Sequence, residues 1–132
     1  MNDLDDLNML QRVESIVDIE ALPAETEHVL VSHLDDEKLK ALGRLSKLRS
    51  IIQDGSPQVT DAGLQFLSHL RELERLDLEW SERISDNGLF YLYDLVRLRW
   101  LDLGFCSGVT AKGVRKLKEA LRYCEIIGHT DG

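Results

Sequence analysis

VTDAGLQFLSHLRELERLDLEWSER (59–83) runs without a gap into ISDNGLFYLYDLVRLRWLDLGFCSG (84–108), so one 25-residue pattern is written twice in succession. Seven apolar positions coincide: Val59, Leu64, Leu67, Leu70, Leu73, Leu76 and Leu78 against Ile84, Leu89, Leu92, Leu95, Leu98, Leu101 and Leu103. Within each copy the apolar period changes. Spacing by three from Asp61 to Leu70 suits a helical segment, whereas Leu76-Asp77-Leu78 alternates and suits a short strand. A unit that cannot bury its own apolar face must stack on its neighbours, and a fixed period of this length is the signature of a stacked-repeat architecture.

The same register extends in both directions. Residues 34–58 place Leu34, Leu39, Leu42, Leu45, Leu48 and Ile51 on the core positions, with Gln53 breaking the last. Residues 109–132 keep Val109, Val114, Leu117, Ala120 and Ile126 but put Tyr123 and Gly128 where leucine is expected, as terminal repeats often do. Asp35, Thr60, Ser85 and Thr110 recur as helix N-cap residues, able to bond the orphan amides of the first turn. Gly63, Gly88 and Gly113 mark close approach of the neighbouring backbone, and Asp54-Gly55-Ser56-Pro57 reads as a turn.

Ahead of the repeats, residues 1–33 are expected to form a cap. Leu4, Leu7, Leu10, Val13 and Val17, with Ile16 beside them, predict an amphipathic helix from Asp3 to Glu20, with Asn2 or Asp3 as N-cap and Leu22-Pro23 as its end. Val29-Leu30-Val31 reads as an edge strand or a degenerate half-repeat. One structural domain follows: the cap at 1–33 and four repeats at 34–58, 59–83, 84–108 and 109–132. The fold class is α/β, with a short parallel sheet on a concave face and helices on a convex face.

LDLGFCSGVTAKGV, and less strongly LDLEWSERISDNGL, resemble the cysteine-containing class of leucine-rich repeats, whose unit reads L-x-x-L-x-L-x-x-C-x-x-I-T-D-x-G-L. The resemblance covers residues 34–132 and implies a leucine-rich repeat solenoid. The class is known from F-box substrate adaptors of ubiquitin ligases and from many bacterial proteins. It implies that Cys106 points inward and bonds the loop backbone; Ser56, Ser81 and Asp131 stand at that place in the other copies. Leu22-Pro23-Ala24-Glu25 is only faintly like the start of an F-box, which would consume the first repeat, so the two readings exclude each other.

Charge and chemistry narrow the function. Of the net −8, residues 1–33 carry eight carboxylates against Arg12, while the last copy holds Lys112, Arg115, Lys116, Lys118 and Arg122 against Glu119. The acidic balance disfavours nucleic acid. No apolar run suits a membrane span and the acidic amino terminus is unlike a secretory signal, so a cytoplasmic protein is expected. Cys106 and Cys124 give neither a disulfide framework nor a zinc spacing. His28 and His33 read as surface or edge histidines on opposite faces, and Asp77 with Asp102 as a solvated ladder. No cofactor, metal or catalytic set is expected.

What remains is recognition of a protein or peptide. Alternation about Leu76 and Leu101 turns Arg75, Asp77, Glu79, Trp100 and Asp102 to the concave side, with Trp80 and Phe105 on its rim. Aromatics ringed by carboxylates suit a partner segment with an apolar anchor flanked by Lys or Arg. A second patch, Phe90, Tyr91 and Tyr93, lies on the helix side, with Tyr91 partly packed and Phe90 and Tyr93 more exposed. The alternative is a constitutive subunit or adaptor of a larger assembly, including a ubiquitin-ligase-type adaptor. Oligomeric state is open.

Overall fold

A computed structural model describes residues 10–128. Among these residues six parallel strands form one sheet whose spatial order equals their order in the chain: β1 (Gln11–Val13), β2 (His28–Ser32), β3 (Ser50–Asp54), β4 (Arg75–Asp77), β5 (Trp100–Asp102) and β6 (Glu125–Ile127). Helical segments link them: α1 (Ile16–Glu20), α2 (Asp36–Leu42), α3 (Asp61–Leu64), α4 (Asp86–Leu89) and α5 (Ala111–Ala120). From β3 onward the register repeats every 25 residues, with Ile51, Leu76, Leu101 and Ile126 side by side. Between β2 and β3 the step falls to 22, as His28 pairs with Ser50.

All fourteen leucine-pattern positions of the two central copies are at most 1% exposed, and Leu34, Leu39, Leu42, Leu45, Leu48 and Ile51 are fully buried. Their spacing by three has a structural cause. In the central copies a single α-turn passes into a 3-10 turn (Gln65–Leu67, Phe90–Leu92), and three residues per turn keeps Leu64, Leu67 and their equivalents on one face. The last copy departs from the expected register. α5 is a continuous ten-residue helix, so its inward face follows 3.6 residues per turn: Val114, Leu117 and the C-cap Leu121 are buried and Ala120 only partly so, while in the turn beyond it Cys124 is buried and Tyr123 is 75% exposed.

Successive copies are joined by a repeated side-chain clamp. Asp36 accepts the backbone N–H of Thr60 at 2.8 Å on one carboxylate oxygen and its hydroxyl at 2.6 Å on the other. Asp61 holds Ser85 in the same way at 2.7 and 2.6 Å, and Asp86 holds Thr110 at 2.8 and 2.6 Å. The recurrent glycines answer this clamp first, with the neighbouring backbone also close at Gly63, where a Cβ would lie 3.2 Å from the Asp36 Cα. A Cβ at Gly63, Gly88 or Gly113 would overlap the carboxylate of Asp36, Asp61 or Asp86 respectively. Asp35, Ser85 and Thr110 also cap their helices by accepting an amide, whereas Thr60 makes no side-chain cap bond and its hydroxyl serves Asp36.

The N-terminal segment corrects the expected long helix. Gln11–Val13 is a strand paired in parallel with Val29–Val31, so β2 is interior to the sheet and not its edge. An open strand edge offers unpaired amides and carbonyls, and this pairing overrides the helical spacing. The helix begins afresh at Ile16, capped by Ser15 in a capping box with Asp18. Its phase buries Ile19 fully and leaves Val17 72% exposed. Leu4, Leu7 and the proposed N-cap at Asn2 or Asp3 lie outside the described residues, as does Asp131. His28, expected at the surface, is 3% exposed between these strands, with Nδ1 2.8 Å from the Ser50 hydroxyl.

Two outcomes test this construction. Leu76→Ala should cost about 2–5 kcal/mol in denaturant unfolding through lost burial and the cavity left behind. Gly113→Ala should cost about 1–3 kcal/mol by crowding Asp86. In an Asp86→Ala background the same change should be neutral or stabilising, because alanine is the better helix former by about 1 kcal/mol. Additive effects in that double-mutant cycle would dissociate the glycine from the clamp.

Candidate functional site

Strands β4 and β5 place the candidate residues. Leu76 and Leu101 face the helices, so the residues flanking them lie on the opposite face of the sheet. Arg75 is the register partner of Trp100, and Asp77 that of Asp102. Each aspartate also ends its strand: Asp77 Oδ1 accepts the Glu79 N–H at 3.0 Å and Asp102 Oδ1 the Gly104 N–H at 2.8 Å. Gln53 reaches across from β3, its amide donating to the Glu79 carbonyl at 2.9 Å.

Asp77 is not part of a solvated ladder. Only 9% of it is exposed, and Glu79 joins it and Asp102, so that one oxygen from each carboxylate lies within 4.8 Å of the others. Burial, and then the charge of Asp102, raise the Asp77 carboxyl above the ordinary aspartate range despite the Glu79 amide; burial and the two aspartates raise Glu79 as well. The spacing matches what a divalent cation can bridge, but two of the oxygens are already engaged by the backbone amides that shape the turns.

Beyond the carboxylates the chain turns a corner that the sequence pattern hid. Ser81 N–H bonds the Leu78 carbonyl at 3.1 Å and Cys106 N–H the Leu103 carbonyl at 3.2 Å. The third residue of each turn has positive φ, +69° at Trp80 and +57° at Phe105, a conformation that favours glycine. Gly55 (+81°) and His33 (+54°) hold it at the ends of β3 and β2. Trp80 and Phe105 are 50% and 60% exposed, and their rings lie face to face, 4.1 Å between centroids and 7° apart in plane. Each thus has the other as a neighbour. An alignment of Gly55 with Trp80 and Phe105, one period apart, carries the signal for this corner.

Cys106 sits directly behind it, fully buried, its thiol donating to the Leu78 carbonyl at 3.1 Å. Burial pushes that thiol up to about 11. Ser81 occupies the equivalent place and is buried, whereas Ser56 is exposed and gives its N–H to His33 Nδ1 at 3.1 Å.

The seven sequence-derived residues therefore form two rows. Arg75 and Trp100 stand at the strand starts and Trp80 with Phe105 at the corner, up to about 16 Å along the chain, with Asp77, Asp102 and Glu79 between them. A cleft of about 380 Å3 that sequence reasoning missed opens beside Trp80, lined by Gly55, Ser56, Pro57, Gln58 and Glu82. On the helix side Phe90 is 68% exposed, while Tyr93, expected to be exposed, is partly buried against the core. No helix among the described residues is long and apolar enough to cross a membrane.

No protein-family model matches the chain, and no curated protein matches it. Among solved structures, the tropomodulin C-terminal domain of Caenorhabditis elegans is similar, with a TM-score of 0.59 at 15% identity over 92% of this chain and 93% of that one. At that identity the likeness carries the fold alone, a leucine-rich-repeat-like arrangement of short parallel strands and helical segments.

The raised Asp77 carboxyl sets a pH dependence. A carboxyl whose folded value lies above its unfolded value, near 4, binds more protons when folded, so this group's contribution to stability grows as pH falls through that window. Asp77→Asn, which keeps the oxygen that accepts the Glu79 amide, should raise the urea midpoint at pH 7 and lose that advantage below pH 4. A variant less stable than the parent at pH 7 would show that the buried charge is compensated.

Proposed function

We propose that the chain is a non-catalytic leucine-rich-repeat solenoid module, with residues 10–33 closing its N-terminal end, that binds a protein or peptide segment through the open sheet face and its corner. The binding residues in this reading are Arg75, Asp77, Glu79, Trp80, Trp100, Asp102 and Phe105. The observation that carries it is the Trp80–Phe105 stack, two large rings left half or more exposed at backbone positions that favour glycine. Exposed aromatic anchors of this kind mark protein interfaces. Asp77, Glu79 and Asp102 beside them favour a partner with an apolar anchor flanked by Lys or Arg and disfavour nucleic acid. Cys106 and Cys124, buried as thiols, suit a reducing, cytoplasmic setting.

A second reading, a constitutive subunit of a larger assembly, draws on Phe90 and Val96, 68% and 66% exposed on the copy that contains α4. The mass of the chain at increasing concentration, alone and with its partner, separates a free module from an obligate subunit.

For the first reading, the partner captured from the native lysate is titrated against alanine variants. Trp80→Ala, Trp100→Ala and Phe105→Ala should each weaken binding, with hot-spot losses of about 2 kcal/mol or more at the corner. Tyr93→Ala should leave it unchanged. If only the tyrosine variant weakens binding while all four remain folded, recognition belongs to the helix side.

A further inference from the structure

The cleft beside Trp80 has the form of a missing rung. Successive turns of the chain place His33, Gly55, Trp80 and Phe105 in the left-handed conformation at the ends of β2, β3, β4 and β5. The last two carry rings stacked at 4.1 Å. The rung before them is a glycine, over which the His33 ring has folded, so that a Cβ at Gly55 would come within 2.6 Å of two imidazole atoms. One face of the Trp80 indole rests on Phe105. Gly55 precedes Trp80 in the ladder and lines the cleft with it, so the other face looks into open space over Ser56, Pro57 and Gln58, with Glu82 also on the lining.

We propose that this cleft takes the side chain of an arginine from a partner polypeptide, its guanidinium stacked on the free face of Trp80 and donating to the Glu82 carboxylate. This rests on the reading of the corner as a recognition surface and names the chemistry that it selects. A planar group continues the stack that the chain itself builds one period later. The charge at this edge is negative, with Asp54, Glu79 and Glu82 adjoining the corner residues against Arg83 and the Lys38 ammonium, which is held by the Ser32 and His33 carbonyls. Arginine combines the flat, weakly hydrated cation that stacks on indole with the forked donors that match a carboxylate; a lysine ammonium has neither the plane nor the fork. Trp80 and Phe105 lie too close to admit anything between them, so the free outer face is the binding surface.

The full chain is titrated with capped Gly-Arg-Gly, Gly-Lys-Gly and Gly-citrulline-Gly peptides while the indole N–H resonances of Trp80 and Trp100 are followed by NMR and assigned with Trp80→Phe. The arginine peptide should shift Trp80 saturably and leave Trp100 in place. Citrulline, which keeps the shape without the charge, and lysine should each bind about fivefold or more weakly. Glu82→Gln, at an exposed position, should weaken the arginine peptide by a similar factor with thermal unfolding unchanged. No saturable shift at Trp80, an equal response to lysine and arginine, or a shift confined to Trp100 overturns the proposal. Loss of partner binding in Trp80→Ala without an arginine response removes this proposal and keeps the broader reading. An arginine response in a chain whose partner binding ignores Trp80→Ala does the reverse.

Discussion

The carboxylate clamp between successive copies is the interaction on which the stacking register depends. Burial of the leucines is non-directional, and strand alternation decides only which face is turned inward, so a slip by two residues would still keep apolar side chains on the core side. An aspartate that holds both the amide and the hydroxyl of the next N-cap residue admits one offset only. The pattern is shifted by one copy as a result. Asp36, Asp61 and Asp86 make the clamp; Gly63, Gly88 and Gly113 yield space to it one unit later. The ends of the series obey the same logic. Lys38 stands at the glycine place in the copy containing α2, where its ammonium bonds the Ser32 and His33 carbonyls, and Ala111 stands at the aspartate place in the copy containing α5.

A frame of this kind leaves the corner after each strand free to vary. After β4 and β5 the strand-ending aspartates, the turn bonds of Ser81 and Cys106 and the buried Cys106 thiol hold the backbone without help from the corner side chain, whereas after β2 the His33 ring itself accepts the Ser56 N–H of the next corner. Glycine, histidine, tryptophan and phenylalanine all occupy the position. In a repeat architecture this is where neighbouring units can differ in surface chemistry while their cores remain interchangeable.

Burial of the leucine pattern was legible because it depends on a period and on nothing distant. Three features were not. The helix phase of the last copy changed because Ala111, Lys112, Lys116, Leu117, Lys118, Glu119 and Ala120 are strong helix formers that sustain a full α-helix, whereas the central copies, with Phe66, Ser68 and His69 or with Phe90, Tyr91 and Tyr93, tighten after one turn. That signal lies in the composition and not in the register. The strand at Gln11–Val13 carries a helical spacing and pairs only because β2 offers an edge, a tertiary fact. The candidate site was half legible: alternation gave the outward side of β4 and β5, but burial of Asp77 and the gathering of three carboxylates depend on Gln53 from the strand before and on how tightly the chain turns.

The left-handed corners give the surface a thermodynamic history. An L-residue in that conformation costs about 1–2 kcal/mol relative to one in the right-handed region, a penalty that glycine escapes, as at Gly55. Glycine at Trp80 or Phe105 would relieve that strain while giving up the ring stack, worth about 0.5–1.5 kcal/mol, and about 0.5–1 kcal/mol of chain entropy. Selection for heat resistance alone is therefore close to indifferent to these two side chains, and a thermostabilised version of this protein should be checked there before it is used as a stand-in for the original.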